Sequence, residues 1–466
     1  MNAPLIWIFI PLLTGGFILL FVWQERTAAF IGGIAAAALA GAALILPIDL
    51  AVRLGPLSLK VAPSVQLFGR SLVINSTDAP LLVLLYGLTA LWFFGSEAAG
   101  VARRLVSLGM IILGLLVASI AVEPFLFAAL LIELAVLVAV PMLSPPEQRP
   151  GRGLIRFLIY QTLAMPFILF AGWLLAGVEA SPADLALTVQ SATILGLGFA
   201  FLLAVFPLYN WIPLLMEETS AYVVGFLLWL LPTMAAIFGM GFLDRYAWLR
   251  TSSQLPQALQ IAGLIMVITG GLWAAFQHHL GRLMAYTAVA ESGLVLLALG
   301  LIPGPGVEIT FLLLIPRGLS LATWALALSI LNAEGQSAEF VSVRGLARLF
   351  PLAAASLVLA AFSSAGLPLL AGFPPRLALW EGLARESLGA ALGLLVGLLG
   401  LLTGALRILA VLFMADEDTA WSAGESRNQR AMLGLGMIAL LILGILPQLA
   451  RPFLANLPLM FLHLGR

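Results

Sequence analysis

The chain has no cysteine, so it can form no disulfide and no thiolate-ligated zinc or iron–sulfur site. Histidine is nearly as scarce. His278 and His279 stand side by side in a short loop and His463 lies near the end, which gives no basis for a haem or multi-histidine metal site. No cofactor and no metal are expected. Lysine occurs once, at Lys60, and arginine supplies the rest of the 22 basic residues. Charge of either sign is rare: Asp, Glu, Lys and Arg make up 9% of the 466 residues and cancel to zero, where a soluble fold carries about a quarter. That balance gives no hint of a nucleic-acid partner. There is no Gly-rich phosphate loop ahead of a soluble helix and no histidine at membrane depth to serve a hydrolytic serine. The gaps between apolar runs reach only the order of thirty residues, too short for a nucleotide-binding domain.

What is present is apolar. Hydrophobic residues make up 62% of the chain and its mean hydropathy is +1.11, the composition of an integral membrane protein. A span needs about 20 predominantly apolar residues, and fourteen such runs can be read, near 4–23, 27–47, 79–97, 104–121, 124–143, 154–177, 191–215, 221–243, 257–276, 282–302, 307–331, 348–386, 387–414 and 431–449. The first lacks a basic leader and reads as a spanning helix rather than a signal peptide. Residues 48–78 are polar and punctuated by Pro and Gly, with enough Val, Leu and Ser for a hairpin at the membrane surface. The expected fold class is therefore all-α and polytopic, with about fourteen transmembrane helices.

Two runs are interrupted. The seventh breaks at Pro207 in "GFAFLLAVFPLYNWIP", and the twelfth is too long for one helix and contains "SSAGLPLLAGFPPR". Pro232 in the eighth run reads either as a kink or as a further break. The two broken runs sit five apart, the spacing of two inverted five-helix repeats, a plan in which broken helices mark ion sites. The implied divisions are 1–103, 104–247, 248–416 and 417–466. Odd-numbered loops hold eleven basic residues and the even loops with the C-terminus hold eight, a bias that puts both termini on the outer side.

Five ionisable residues fall well inside runs: Glu133, Glu291, Arg317, Arg376 and Arg407. Charges at membrane depth are costly, roughly 2.5–3.5 kcal/mol on insertion scales, and mark transport pathways by default. Here they form either a polar axis of alternating sign or pairs that join helices. Arg407, near a helix end, is expected to reach toward the interface.

Several stretches then resemble one family. "PLIWIFIPLLTGGF" opens the chain, "FPLYNWIP" (Phe206–Pro213) sits in the seventh run, and "WAAFQHHLGRLMAYTAVAESG" (Trp273–Gly293) precedes "PRGLSLATWALALSIL" and "GLPLLAGFPPR". Jointly, in this order, they are similar to the antiporter-like membrane subunits of respiratory complex I and of Mrp-type cation/proton antiporters, closest to the middle antiporter-like subunit of complex I. The resemblance covers most of the chain. It implies a fourteen-helix subunit with two inverted five-helix repeats. It also implies a place beside other membrane subunits of a redox-driven complex in the lipid of an energy-coupling membrane, the bacterial plasma membrane. Protons would move along a central polar axis, with the redox chemistry elsewhere.

Carried over position by position, Glu133 matches the family's helix-five glutamate. The helix-seven and helix-eight lysines fall on Leu202 and Thr233, both uncharged. The family's histidines are replaced by Glu291 and Arg317, and the Lys/Glu of broken helix twelve by Arg376. Lysine and histidine can exchange protons near neutral pH, whereas arginine stays charged and only donates hydrogen bonds. The axis as the family runs it cannot operate here unchanged. Two alternatives follow: a rewired conducting axis that uses Glu133, Glu291 and water, or a structural paralogue that keeps the fold without conduction. Relatives also serve Mrp antiporters and membrane hydrogenases, so those hosts remain open. A free-standing permease has less support.

Overall fold

A computed structural model of the chain describes residues 2–49, 51–54, 57–67, 69–144, 149–180, 185–335, 337–414 and 421–464. Arg466, one of the counted loop charges, lies outside them. In lipid every backbone N–H and C=O must be satisfied within its own segment, so apolar runs of this length become helices. A π-helical turn, Leu5–Phe9, leads into α1 (Ile10–Phe21), followed by α2 (Glu25–Ile45), α3 (Ala79–Ser96), α4 (Ala102–Ala121), α5 (Ala128–Leu143) and α6 (Arg152–Ala180). The seventh run is α7 (Leu185–Leu202) and α8 (Trp211–Glu218), separated by a break, and the eighth is α9 (Ala221–Arg245), which continues through Pro232. A short α10 (Ala247–Arg250) leads to α11 (Gln254–Phe276), α12 (Leu280–Leu299) and α13 (Gly306–Gly335). The twelfth run is again two helices, α14 (Pro351–Ala365) and α15 (Phe373–Glu386), and the chain ends with α16 (Leu388–Phe413), α17 (Arg427–Ile445) and α18 (Arg451–Leu454).

Among the described residues eleven helices are long and apolar enough to cross a membrane, and Leu5–Phe21, Ala186–Leu202 and Pro351–Ala365 are shorter apolar helices. Burial separates a centre from a rim. In α9, α12 and α13, 89% of the most apolar window is buried, against 39% in α11 and α16 and 17% in α17. The central three are hydrophobic all round, as a helix enclosed by other helices must be; α17 turns its apolar residues outward.

The surface segment forms two antiparallel hairpins rather than one. β1 (Ala51–Leu54) pairs with β2 (Leu57–Lys60), and β3 (Ser64–Leu67) pairs with β4 (Arg70–Val73), which also takes β5 (Val122–Glu123) from the end of α4. Acids distant in sequence cap other elements. Glu218 accepts from Gly153 and Leu154 at the start of α6, and Glu425 from Leu352 and Ala353 at the start of α14. Asp244 accepts from the backbone of Leu462, His463 and Leu464. First-turn N–H groups have no partner within their own helix and carry the positive end of its dipole, so a carboxylate there both satisfies and complements them. These contacts tie loops to helix ends where water would otherwise be needed.

Candidate functional site

The two breaks expose backbone groups inside the bundle, and each is repaired differently. At the first, Ala204 adopts a left-handed φ of 50° and the amides of Leu203 to Val205 bond back onto the last turn of α7. The carbonyls of Phe201 and Leu202 accept from the side-chain amide of Gln161 on α6 at 3.4 and 3.3 Å. Leu202 is 3% exposed. Beside it lies a cavity of about 10 Å³ lined by Gln161, Leu202, Trp211, Leu228 and Ser292 among others, the least volume that holds one water, about 10–15 Å³. Thr233, the other neutral position, donates to the carbonyl of Trp229 in its own helix at 2.6 Å. On the side covered by Gln161, Trp211 and Leu228 the break leaves only this small space.

At the second break Gly366 takes the left-handed position with φ 80°, where a side chain would be strained. Gly372 is needed for closeness: a Cβ there would lie 1.9 Å from the carbonyl oxygen of Ser363. The Gly372 amide donates to Ser363 Oγ at 3.2 Å, which also accepts from Ser320 Oγ at 2.9 Å. Arg376, in the first turn of α15, donates through Nη1 to the Gly372 carbonyl at 2.8 Å and through Nη2 to Glu291 Oε1 on α12. Both members of this ion pair are buried. Arg317 on α13 is buried as well; its Nη2 donates to the Leu228 carbonyl at 2.8 Å and to Ser292 Oγ at 3.0 Å. It therefore joins α9 to α12 through neutral acceptors, and among the described residues it makes no ion pair. Of the acid and base candidates Glu291 chooses Arg376, not Arg317.

A buried charge without a counter-charge is retained only where hydrogen bonds and some local purpose compensate the lost hydration. The cluster holds one carboxylate against two guanidiniums, a local excess of positive charge that neither arginine can relieve by losing its proton.

Glu133 stands apart. It accepts from Thr162 Oγ1 on α6 at 2.9 Å, while its Oε2 is buried without a partner. Its neighbours Leu130, Leu134 and Leu137 are exposed, so the carboxylate lies near the lateral surface of the bundle rather than in the central cluster. Arg407 reaches the end of the bundle: it donates to the Ala275 carbonyl in the last turn of α11 and sits over the ring of Phe340, in the loop after α13, at 5.2 Å. An apolar groove of about 490 Å³ between α7, α9 and α11, which Leu203 and Val205 of the first break help to line, has no ionisable residue in its lining.

Residue-type reasoning passed over Gln161, Ser292, Ser320 and Ser363. The only available signal was polarity inside apolar runs: the Gln161–Thr162 pair midway along α6, and the serines flanking charged or glycine-rich positions.

Comparison with known proteins agrees with this architecture. Residues 174–403 match the family model described as NADH:quinone oxidoreductase/Mrp antiporter, TM. NADH-quinone oxidoreductase subunit 14 of Thermus thermophilus is 30% identical over 397 residues, covering 80% of this chain and 85% of that protein. NADH-quinone oxidoreductase subunit N of Rhodococcus opacus is 27% identical, over 62% of this chain and 53% of its own length. A chain of respiratory complex I from Thermus thermophilus with bound NADH superposes with a TM-score of 0.76 at 20% identity, covering 97% of this chain and 99% of that one. A chain of the Mrp complex from Dietzia sp. does so with a TM-score of 0.78 at 18% identity, over 98% and 96%. These two likenesses speak to the fold.

Proposed function

The chain belongs to the NADH:quinone oxidoreductase/Mrp antiporter transmembrane family, and from that membership we propose that it is an antiporter-like membrane-arm subunit of a complex I-like NAD(P)H- or ferredoxin-quinone oxidoreductase. Its part is proton translocation coupled to electron transfer, with the redox chemistry in other subunits. The observation that carries this reading is the buried Glu291–Arg376 pair at the second break, with Arg317 beside it. Charges at this depth are costly and are kept for transport. In this reading Glu291 and Glu133 take up and release protons. Arg317 and Arg376 hold fixed charge and order water, because arginine only donates.

The wider assignment is of the same standing. Counting the three shorter apolar helices, the chain makes fourteen spans, grouped as 1–103, the repeat 104–247, its inverted counterpart 248–416, and 417–466. Recurrent neighbours support the repeat: α4 packs on α5 as α11 does on α12, α6 on α7 as α13 does on α14, and α7 on α9 as α14 does on α16. Both termini face outward across a bacterial plasma membrane, and the partners are sister membrane subunits, lipid and protons. The half-buried Glu133 on an apolar flank suits a face covered by such a subunit.

The test uses the assembled complex in sealed vesicles. Glu291→Gln and Glu133→Gln are expected to lower protons moved per quinone reduced, with assembly intact. Undiminished pumping in both variants overturns the transport role. That result would favour the second reading, a structural paralogue, which rests on the buried, uncharged Leu202 at the position where the family resemblance implies a lysine.

A further inference from the structure

We propose that the apolar groove beside the first break binds one anionic phospholipid, with an acyl chain seated along α7 and the phosphate at Arg250. This site is separate from the buried charges and does not depend on whether the chain moves protons.

The groove exists because two helices stand apart. α7 packs on α6 and α9, and α11 packs on α12 and α16, which leaves a trough of about 490 Å³ between α7 and α11. Ala192, Gly196 and Ala200, spaced by four, turn one face of α7 toward it. A Cβ added to Gly196 would meet no atom within 4 Å, so this wall is set back rather than packed. The lined stretch of α7 runs from Thr188 to Leu203, roughly 22 Å at about 1.5 Å per residue. Half of a hydrocarbon core about 30 Å thick offers only about 15 Å, so a chain laid straight in the groove reaches from the interface to the break.

The lining is graded as an amphiphile is. Trp248 and Ser252 close one end, in the connection from α9 to α11, and tryptophan belongs at the level of lipid headgroups. Toward Leu203 and Val205 the walls carry no ionisable side chain, and Thr193 spends its hydroxyl on the Val189 carbonyl at 2.8 Å. A cation stands at the polar end. Arg250 donates through Nη1 to the carbonyls of Leu243, itself in the lining, and Asp244, at 3.1 and 2.7 Å. Among the described residues it has no ion pair, and its planar fork suits a phosphate. The other apolar occupant available in a membrane is a neighbouring subunit's helix. A helix 30 Å long and about 10 Å across fills roughly 2,400 Å³, about five times this volume, and it gives no reason for a cation at one end. The far end of an acyl chain would lie against Leu203 and Val205, whose amides bond back onto α7, and would shield the lateral side of the break from water.

The test uses the assembled complex in vesicles that contain phosphatidylglycerol or phosphatidylcholine with a diazirine at the end of one acyl chain. After illumination, crosslinked peptides are read by mass. The phosphatidylglycerol probe is expected to label α7 near Leu203 and Val205. Gly196→Phe, which fills the groove without a clash, should lose most of that labelling while lipid-facing peptides elsewhere keep theirs; if it does not assemble, Gly196→Leu carries the test. One arginine near the surface is worth about 1 kcal/mol toward an anionic lipid, so phosphatidylglycerol should label about fivefold more than phosphatidylcholine. Arg250→Gln should bring the two probes level. Labelling of α7 that is missing, or that is the same in the groove-filling variant, overturns the site. Equal labelling by both probes in the unaltered chain overturns the assignment of the phosphate to Arg250.

Discussion

At the first break the freed carbonyls of Phe201 and Leu202 meet a neutral amide, Gln161, and the left-handed residue is Ala204. At the second, Gly366 and Leu369 are left-handed, the Gly372 carbonyl meets a guanidinium, and the charge of Arg376 is answered by Glu291. The two sites share a backbone problem, an interrupted helix in a low-dielectric interior, but only one of them carries charge. Arg317 lies between them, bonded to Leu228 beside the first break and to Ser292 beside Glu291. A break in a membrane helix thus does not imply an ion site: hydrogen-bond donors of either kind satisfy the backbone, and the choice of donor sets whether the site can hold or move charge.

The sharpest way to break this contrast is to remove one partner at each site. Arg376→Leu leaves the Glu291 carboxylate buried and unpaired, and should cost about 3–5 kcal/mol, read as a lowered melting temperature of the solubilised complex. Adding Glu291→Leu should recover most of that loss. Glu133→Gln, whose partner is the neutral Thr162, should shift the same melt little. Equal losses in Arg376→Leu and Glu133→Gln would refute the distinction.

A second pair of changes tests the first break. Leu202→Lys places a cation in a site with space for about one water, so burial of its charge should cost roughly 2.5–3.5 kcal/mol. A well-tolerated lysine there would show that the first break hydrates readily. Gln161→Leu should cost about 1–3 kcal/mol, the penalty for carbonyls left unpaired. Backbone exchanges come next. Gly372→Ala must displace the Ser363 carbonyl and should lower stability measurably, while Ala204→Gly relieves a left-handed alanine and should raise it by up to about 1 kcal/mol.

The smallest effect concerns His279, outside the membrane, whose Nδ1 accepts from the amides of Gly281 and Arg282 at the start of α12. Burial, aided by Arg282 and opposed by Glu217 and Glu339, holds its imidazole below the usual value. The folded state therefore binds the proton less readily than the unfolded chain. Its contribution is present above about pH 6.5 and fades as pH falls through that value toward the folded one. Melts should drop between pH 7.5 and pH 5.5 by an increment, about 1 kcal/mol, that His279→Asn abolishes. An unchanged pH dependence in that variant would dismiss the cap as a titrating element.

Much of this could be read in advance. The apolar runs and their interruptions at Pro207 and in Ser363–Arg376 coincide with helices and breaks, and Glu291, Arg317 and Arg376 do converge. Hydropathy acts over whole segments and needs no knowledge of neighbours. The pairing did not follow from pattern: Arg317 and Arg376 were equal candidates for Glu291, and Glu133 was expected on the same axis but lies toward the flank. Arg407, expected to reach toward the interface, bonds to Ala275 in the last turn of α11 and covers Phe340 in the loop after α13. The surface stretch held two hairpins where one was expected, and the second of them takes a third strand, β5, from residues 122–123, distant in the chain.

Residue composition was enough to commit this chain to lipid, to helices, and to breaks where proline and glycine cluster, since a backbone in hydrocarbon has few ways to satisfy itself. It was also enough to show that lysine occurs once and that arginine supplies every other basic residue. Which carboxylate meets which guanidinium, that Gln161 rather than an ion repairs the first break, and that Ser320 of α13 bonds Ser363 of α14 depended on how helices rotate and slide against each other. A rotation of one residue, about 100° on a helix, moves a side chain from the interior to lipid, and no local pattern specifies that angle.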